Sequence, residues 1–515
     1  MKWLSVVFLL QLFVAATFSF HLQNVLDSVR DFSRGLQQKV IGTTGSPLLS
    51  LKSQFESQNL QHVASEGFRY YTEMTQEELM SSDSKELLAN LNQLEDQYVI
   101  RFSHWSCSKS KDSILIQSKR LNLDIWEVSQ AHKFIDVRCT REQALELVEA
   151  VTKVCPNGQY HVSIMIEDLP QAIFETLDIS ESDYNLAAEE EDVSLLSGNI
   201  FFKRFRRLET IYKWFDILVD TYPDLLSIEW IGQTFEGRDI KALRISDHKS
   251  NDEAIKTVVI TGGIHAREWI SISTVCYVIS NILSDYENGS KKVRRYLQNL
   301  DFLFLPVMNP DGYDYSWKTE RLWRKNRQET YHPRCFGIDI DHSFNFHFTK
   351  GEDTSPCSEE YSGEGAFESL ESYAWDNYLN ETRHKHPIYA YIDLHSYAEE
   401  VLYPYAYSCT ELPRDEENLL ELAYGLSQAV RLQSGKMYSV LSACEDRGAD
   451  LLPSMGAGSA LDYMYHNKAY WAFVLKLRDS GSRGFLLPKK YIVPVGKEIY
   501  ASIKYFADFL LNPDN

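Results

Sequence analysis

The stretch Thr257-Val258-Val259-Ile260-Thr261-Gly262-Gly263-Ile264-His265-Ala266-Arg267-Glu268-Trp269 decides the fold. Its apolar, β-branched first half reads as a strand buried on both faces, as in a sheet covered by helices on each side. In such α/β sheets functional groups gather outside the carboxyl ends of strands, and His265 and Glu268 stand just past this one. A second apolar strand, Tyr391-Ile392-Asp393-Leu394-His395-Ser396-Tyr397, also ends in a histidine. Two imidazoles and one carboxylate at one sheet edge suit zinc, with a fourth position open to water. Spacing alone also leaves open two core histidines and a surface glutamate.

Working outward, strand-like runs also fall at Asp301 to Leu305 and Trp471 to Leu477, with helical segments between several of the strands. An amphipathic helix formed by Leu208, Ile211, Tyr212, Phe215, Leu218, Val219 and Tyr222 stops at Pro223 and opens this domain near residue 201. Upstream, Ile125 to Val128 and Tyr160 to Ile166 alternate like strands, and Arg141 to Val154 has helical spacing, which implies a small α+β unit. An acidic stretch, Glu189 to Asp192, precedes Lys203-Arg204 and Arg206-Arg207. That junction reads either as a linker with cleavable dibasic sites or as a basic helix start.

The chain has 515 residues, 44% hydrophobic and 24% charged, enough for more than one folded core. Its formal net charge of −21 argues against nucleic acid as a partner. Lys2 and the apolar run Trp3 to Ala16 read as a secretory signal peptide, too short to cross a bilayer, and no later stretch reads as a membrane span. Secretion permits disulfides, and the eight cysteines suit a few local staples whose pairing the sequence leaves open. Asn288 and Asn380 open two glycosylation sequons.

The motifs Asn309-Pro310-Asp311-Gly312, Arg321-Leu322-Trp323-Arg324-Lys325, Tyr403-Pro404-Tyr405 and Leu477-Arg478-Asp479-Ser480-Gly481 join the two histidine motifs in order. Together they resemble the zinc carboxypeptidases of the A/B type. The resemblance implies an eight-stranded mixed sheet between helices, preceded by a ferredoxin-like α+β propeptide domain. It divides the chain into a signal peptide (1–19), an extension (20–60), a propeptide-like domain (61–180), an acidic linker (181–200) and a zinc carboxypeptidase-like domain (201–515). It implies one zinc ion per chain on His265, Glu268 and His395, substrate contacts from Arg267, Arg324, Ser396 and Tyr397, and a disulfide between Cys335 and Cys357.

Three features depart from the family. Its catalytic strand carries Glu-Leu-Arg-Asp, where this chain has Lys476-Leu477-Arg478-Asp479, so the general base is replaced by an ammonium. The Asn-Arg pair that clamps a substrate carboxylate becomes Asp341-His342, and the segment Ser439 to Asp462 has no tyrosine to cap the chain end. The combination resembles the inactive fungal members associated with cell-wall organisation and biogenesis. It implies a zinc-containing pseudoenzyme, secreted or vacuolar, with a binding or regulatory role. A peptide or small anion is the ligand class expected at the zinc pocket, and protein partners are unassigned. The alternative is a hydrolase of unusual specificity using neutral Lys476 or another group as base.

Overall fold

The computed structural model describes residues 46–58, 87, 90–105, 108–154, 160–177, 198–247, 255–349, 355–447 and 456–512. The expected signal peptide and most of the acidic linker lie outside the described residues.

The N-terminal part runs α1 (Pro47–Gln58), β1 (Gln97–Ser103), α2 (Ser108–Arg120), β2 (Asp124–Ser129), β3 (Phe134–Thr140), α3 (Arg141–Val154), β4 (His161–Ile166) and α4 (Leu169–Phe174). Its sheet order, β2-β3-β1-β4, with α2 and α3 as crossovers, is ferredoxin-like. Helix α3 buries Ala144, Leu147, Val148 and Val151, one stripe at helical spacing, against this sheet. Helix α1 falls in the stretch expected to be an extension, yet its Leu51 and Phe55 are buried in the same small core.

The larger part begins with α5 (Leu208–Thr221) and antiparallel β5 (Leu226–Gln233) and β6 (Asp239–Ile245). There follow β7 (Thr257–Gly262), α6 (Trp269–Glu287), α7 (Lys291–Asn299), β8 (Asp301–Leu305), α8 (Pro310–Lys318) and α9 (Leu370–Thr382). The chain continues through β9 (Ile388–Ser396), β10 (Glu400–Tyr403), α10 (Glu416–Ser434), β11 (Ser439–Ser442), α11 (Ala443–Arg447), α12 (Ala460–Asn467), β12 (Trp471–Leu477) and α13 (Ile492–Leu511). The eight strands are ordered β11-β10-β12-β9-β7-β8-β6-β5, a mixed sheet. Every residue of β7 and β8 is buried, as strands covered on both faces require.

Strand β7 lies between β8, which follows it, and β9, which the chain reaches only later, so the strand order reverses there. This is the switch point at which α/β sheets open a crevice. Register then fixes three neighbours: His395 on β9 faces Lys476 on β12, and Lys476 faces Glu400 on β10. Directly paired residues share a face. No helix among the described residues is long and apolar enough to cross a membrane.

Because Ile392 is fully buried at the centre of β9, Ile392→Ala should destabilise the chain by about 2–5 kcal/mol, read from denaturant unfolding.

Candidate metal centre and its surroundings

Gly263, at φ +63°, turns the chain out of β7; a Cβ there would stand 2.7 Å from Ile272 Cγ1 and 2.9 Å from the Pro306 carbonyl oxygen. The turn delivers His265, and Glu268 follows as the N-cap of α6. The Glu268 side chain makes no capping bond. It lies instead with Oε1 2.8 Å from His265 Nδ1 and Oε2 3.3 Å from His395 Nδ1, while Oε2 also accepts from the Ser396 amide at 2.8 Å. All three side chains are buried, and their donor atoms lie within 4.8 Å of one another.

Each imidazole is held from behind. His265 Nε2 is 3.1 Å from Asp339 Oδ1, and His395 Nε2 is 3.2 Å from Asp393 Oδ2. Thr261 and Tyr391 hydroxyls donate to Asp393, and Arg324 Nη2 donates to Asp339 at 2.8 Å. A carboxylate behind Nε2 keeps the proton on that nitrogen and leaves Nδ1 as the atom that would turn its lone pair to a metal, the arrangement metal-binding histidines use. The donor set, its tautomers and its burial therefore fit zinc.

Electrostatics agree. Burial favours neutral Asp339 and Glu268, but Arg324, His265 and His342 hold Asp339 well below the ordinary carboxylate range, and His395 and His265 do the same for Glu268. Burial lowers His395, yet Asp393 and Glu268 outweigh it and push the ring up to about 10, so a cation entering here displaces a proton.

Lys476, beside His395 in register, is not a free ammonium. Its Nζ donates to Glu127 Oε1 and to Asp446 Oδ2, each at 2.6 Å, and Glu127 belongs to β2 of the N-terminal part. Burial pulls the lysine down, but Asp446, Glu127 and Glu400 outweigh it and hold it charged. Both bonds weigh against the alternative in which a neutral Lys476 serves as base. They also remove Lys476 as a free cation for an anionic ligand, because the protein's own carboxylates occupy it.

The remaining expected substrate contacts are also engaged. Arg267 is fully buried, donates to both oxygens of Asp124 at 3.1 and 3.0 Å, and packs on the Phe485 ring at 4.2 Å. Tyr397 is fully buried, donates to Asp136 at 2.5 Å and stacks on Phe134. Asp341 Oδ1 accepts from the Ala460 amide, and His342 Nδ1 lies 2.9 Å from the Ala457 carbonyl oxygen. Ser396 contributes its amide to Glu268, and its buried Oγ has no hydrogen-bond partner among the described residues. Arg324 keeps some exposure, 15% of its side chain.

Away from the centre, Cys335–Cys357 is bonded, and so is Cys409–Cys444, which the sequence left open. Cys139 and Cys276 are buried thiols; Cys107 and Cys155 lie outside the described residues. Asn288 and Asn380 are exposed. The dibasic junction is a packed helix start: Phe201, Phe202 and Phe205 are buried, Arg206 donates to the Phe201 carbonyl, and Arg207 lies over Trp317 as the N-cap of α5.

Asp339, Asp393, Asp124, Glu127, Asp136, Glu400 and Asp446 were not anticipated as site residues. Asp393, a lone acid in an apolar strand, carried a usable signal, since such a carboxylate needs a buried partner.

The sequence pattern of the zinc carboxypeptidases matches residues 211–502. The chain belongs to the zinc carboxypeptidase family, whose members normally bind zinc. It is 53% identical over 393 residues to the inactive metallocarboxypeptidase ECM14 of Saccharomyces cerevisiae, covering 76% of this chain and 86% of that protein. A namesake in Ajellomyces capsulatus is 39% identical over 442 residues, covering 82% of this chain and 72% of the relative. Among solved structures, thrombin-activatable fibrinolysis inhibitor is similar with TM-score 0.65 at 25% identity, covering 81% of this chain and 99% of the other. The carboxypeptidase A of Helicoverpa armigera shares the fold with TM-score 0.66 at 24% identity, covering 82% and 99%.

Three carboxylates, Glu127, Glu400 and Asp446, face one ammonium, so the buried cluster retains a proton. Burial, against the pull of Lys476, pushes Glu127 up to about 7, and burial with Asp446 beside it holds Glu400 well above its ordinary range. A folded state that binds the proton more tightly than the unfolded chain has its full contribution below about 4.5 and loses it as pH rises through about 7. Calorimetric Tm should therefore fall between about pH 5 and pH 8, and Glu400→Gln should flatten that slope. An unchanged slope in Glu400→Gln would place its origin elsewhere.

Proposed function

We propose that this protein is a zinc-binding, catalytically inactive carboxypeptidase that acts by binding or regulation in cell-wall organisation and biogenesis, within the secretory pathway as a secreted or vacuolar protein. The observation that carries the reading is Lys476: the position of the general base holds an ammonium bonded to two carboxylates. The names of the relatives, inactive metallocarboxypeptidase, support it.

His265, Glu268 and His395 would hold the zinc ion through Nδ1, a carboxylate and Nδ1. Bound zinc supplies Lewis acidity and an activated water. Hydrolysis also needs a group that takes the water's proton, typically worth about 10²–10⁴-fold, and a charged lysine offers no acceptor. Glu127 and Asp446 approach the same ammonium but are committed to it. A substrate's terminal carboxylate would meet Asp341, and a histidine whose Nδ1 already faces a carbonyl, in place of a bidentate arginine. Arg324, bridged to Asp339 and partly exposed, is the residue we assign to a peptide carbonyl or small anion. The N-terminal ferredoxin-like part we read as propeptide-like.

Purified protein should carry one zinc per chain by elemental mass spectrometry. Chelation should lower Tm by several degrees, and His265→Ala should abolish both zinc content and the chelator's effect. On peptide libraries read by mass spectrometry, the zinc-loaded chain should release no C-terminal residue beyond a Glu268→Ala control at any pH from about 5 to 10. Release abolished by Glu268→Ala would overturn the inactive reading.

A further inference from the structure

The face of the large sheet around Lys476 is covered by β2 and β3 of the N-terminal part, and the chemistry across that contact is specific. Glu127 reaches Lys476, Asp124 reaches Arg267, and the Ser129 hydroxyl donates to Glu400 Oε1 at 2.6 Å. Arg101 binds Asp136 through two bonds of 2.7 Å and donates to the Ser480 carbonyl, while Asp136 also accepts from Tyr397. Beneath these polar contacts, Trp126, Phe134 and Ile166 share one buried apolar cluster with Tyr397, Phe485 and Leu486.

Separation would be costly on both counts. It would strip Lys476 of one of its two carboxylates, leave Glu127 without its cation and Arg267 without Asp124, which keeps Arg138 of its own sheet, and it would wet the rings of Trp126, Phe134, Tyr397 and Phe485. Breaking buried charge pairs is strongly unfavourable because the orphaned group keeps its desolvation cost, and each aromatic ring presents roughly 150–250 Å². The polypeptide connecting the two parts runs through residues 178–197, which lie outside the described residues.

We propose that the N-terminal unit is a permanent subunit of this protein, which stays seated as a non-covalent partner after the connecting chain is cut, and that Lys476 is the positioning residue that anchors it. On this assignment the replacement at the base position creates a docking bond. The face around Lys476 accepts an acidic β-edge carrying Glu127 and Asp124, and the occupant is this chain's own N-terminal unit. The inference goes beyond the absence of turnover and does not depend on it: a retained N-terminal unit is compatible with either outcome of the peptide assay.

The test places a specific protease site at Glu189–Asp192 in the full-length, zinc-loaded chain, cuts it to completion, and follows the fragments by native mass spectrometry and size exclusion. The nicked wild type should run as one two-fragment complex on dilution to nanomolar concentration and in 0.5 M salt, because a buried contact is poorly screened. Lys476→Glu should dissociate at least about 100-fold faster. Arg483→Ala, which removes a half-exposed pair with Glu175, should change dissociation by less than about 3-fold. Should Lys476→Glu fail to fold, Glu127→Arg places the same like-charge contact from the other side, on a residue of the N-terminal unit. Separation of the nicked wild type overturns permanence, and wild-type dissociation rates in both charge variants overturn the anchoring role.

Discussion

An ammonium at position 476 sits one strand away from His395 of the candidate metal centre, and its charge must be answered from within the fold. The register of β9, β12 and β10 leaves no freedom here: His395, Lys476 and Glu400 lie side by side on one face. Glu400 alone does not complete the site, since its Oε1 is committed to Ser129. The answering carboxylates come from α11, through Asp446, and from the N-terminal sheet, through Glu127. One replaced residue thus ties together three segments that are far apart in sequence, and the contact between the two parts of the molecule is organised around it.

The metal centre is built on a different set of constraints. Asp393 and Asp339 are fully buried and hold the two imidazoles by their Nε2 atoms, and Arg324 and the Thr261 and Tyr391 hydroxyls hold those carboxylates in turn. None of these bonds involves Lys476, Asp341 or the terminal-carboxylate clamp, apart from His342, which stands 3.8 Å from Asp339. Loss of the base and clamp therefore need not disturb the cradle. Loss of a cradle residue would leave buried carboxylates and imidazoles unpaired, a cost of the kind that unfolds domains.

How far the sequence could be read follows the same division. The strand at Thr257, its histidine and the helix at Leu208 were legible because their apolar residues obey one period without interruption, and the His-x-x-Glu pair stood at a strand end. Strands β1 and β3 were missed: Arg101 and Asp136 interrupt the alternation, yet both are satisfied across the contact between the two parts. The four-residue strands β10 and β11 were too short to show a period. The partners of Lys476 were invisible for a sharper reason. Glu127 and Asp446 lie 349 and 30 residues from it, and nothing local distinguishes a carboxylate bound to a buried lysine from one in solvent. Helix α1 was missed because few apolar residues mark its buried side, Leu51 and Phe55 with Leu48 packed beside them.

On the proposed reading of 476 as the family's base position, lysine there does more than delete a proton acceptor. A carboxylate there would stand among Glu127, Asp446 and Glu400, four acids without the ammonium that now pairs with two of them. Lysine answers one of the three remaining carboxylates and leaves two charges to accommodate, and Glu127 and Glu400 are the two groups whose affinity for a proton is raised. Lysine at 476 thus favours a seated N-terminal sheet, since it draws in Glu127 where a carboxylate at the same place would repel it.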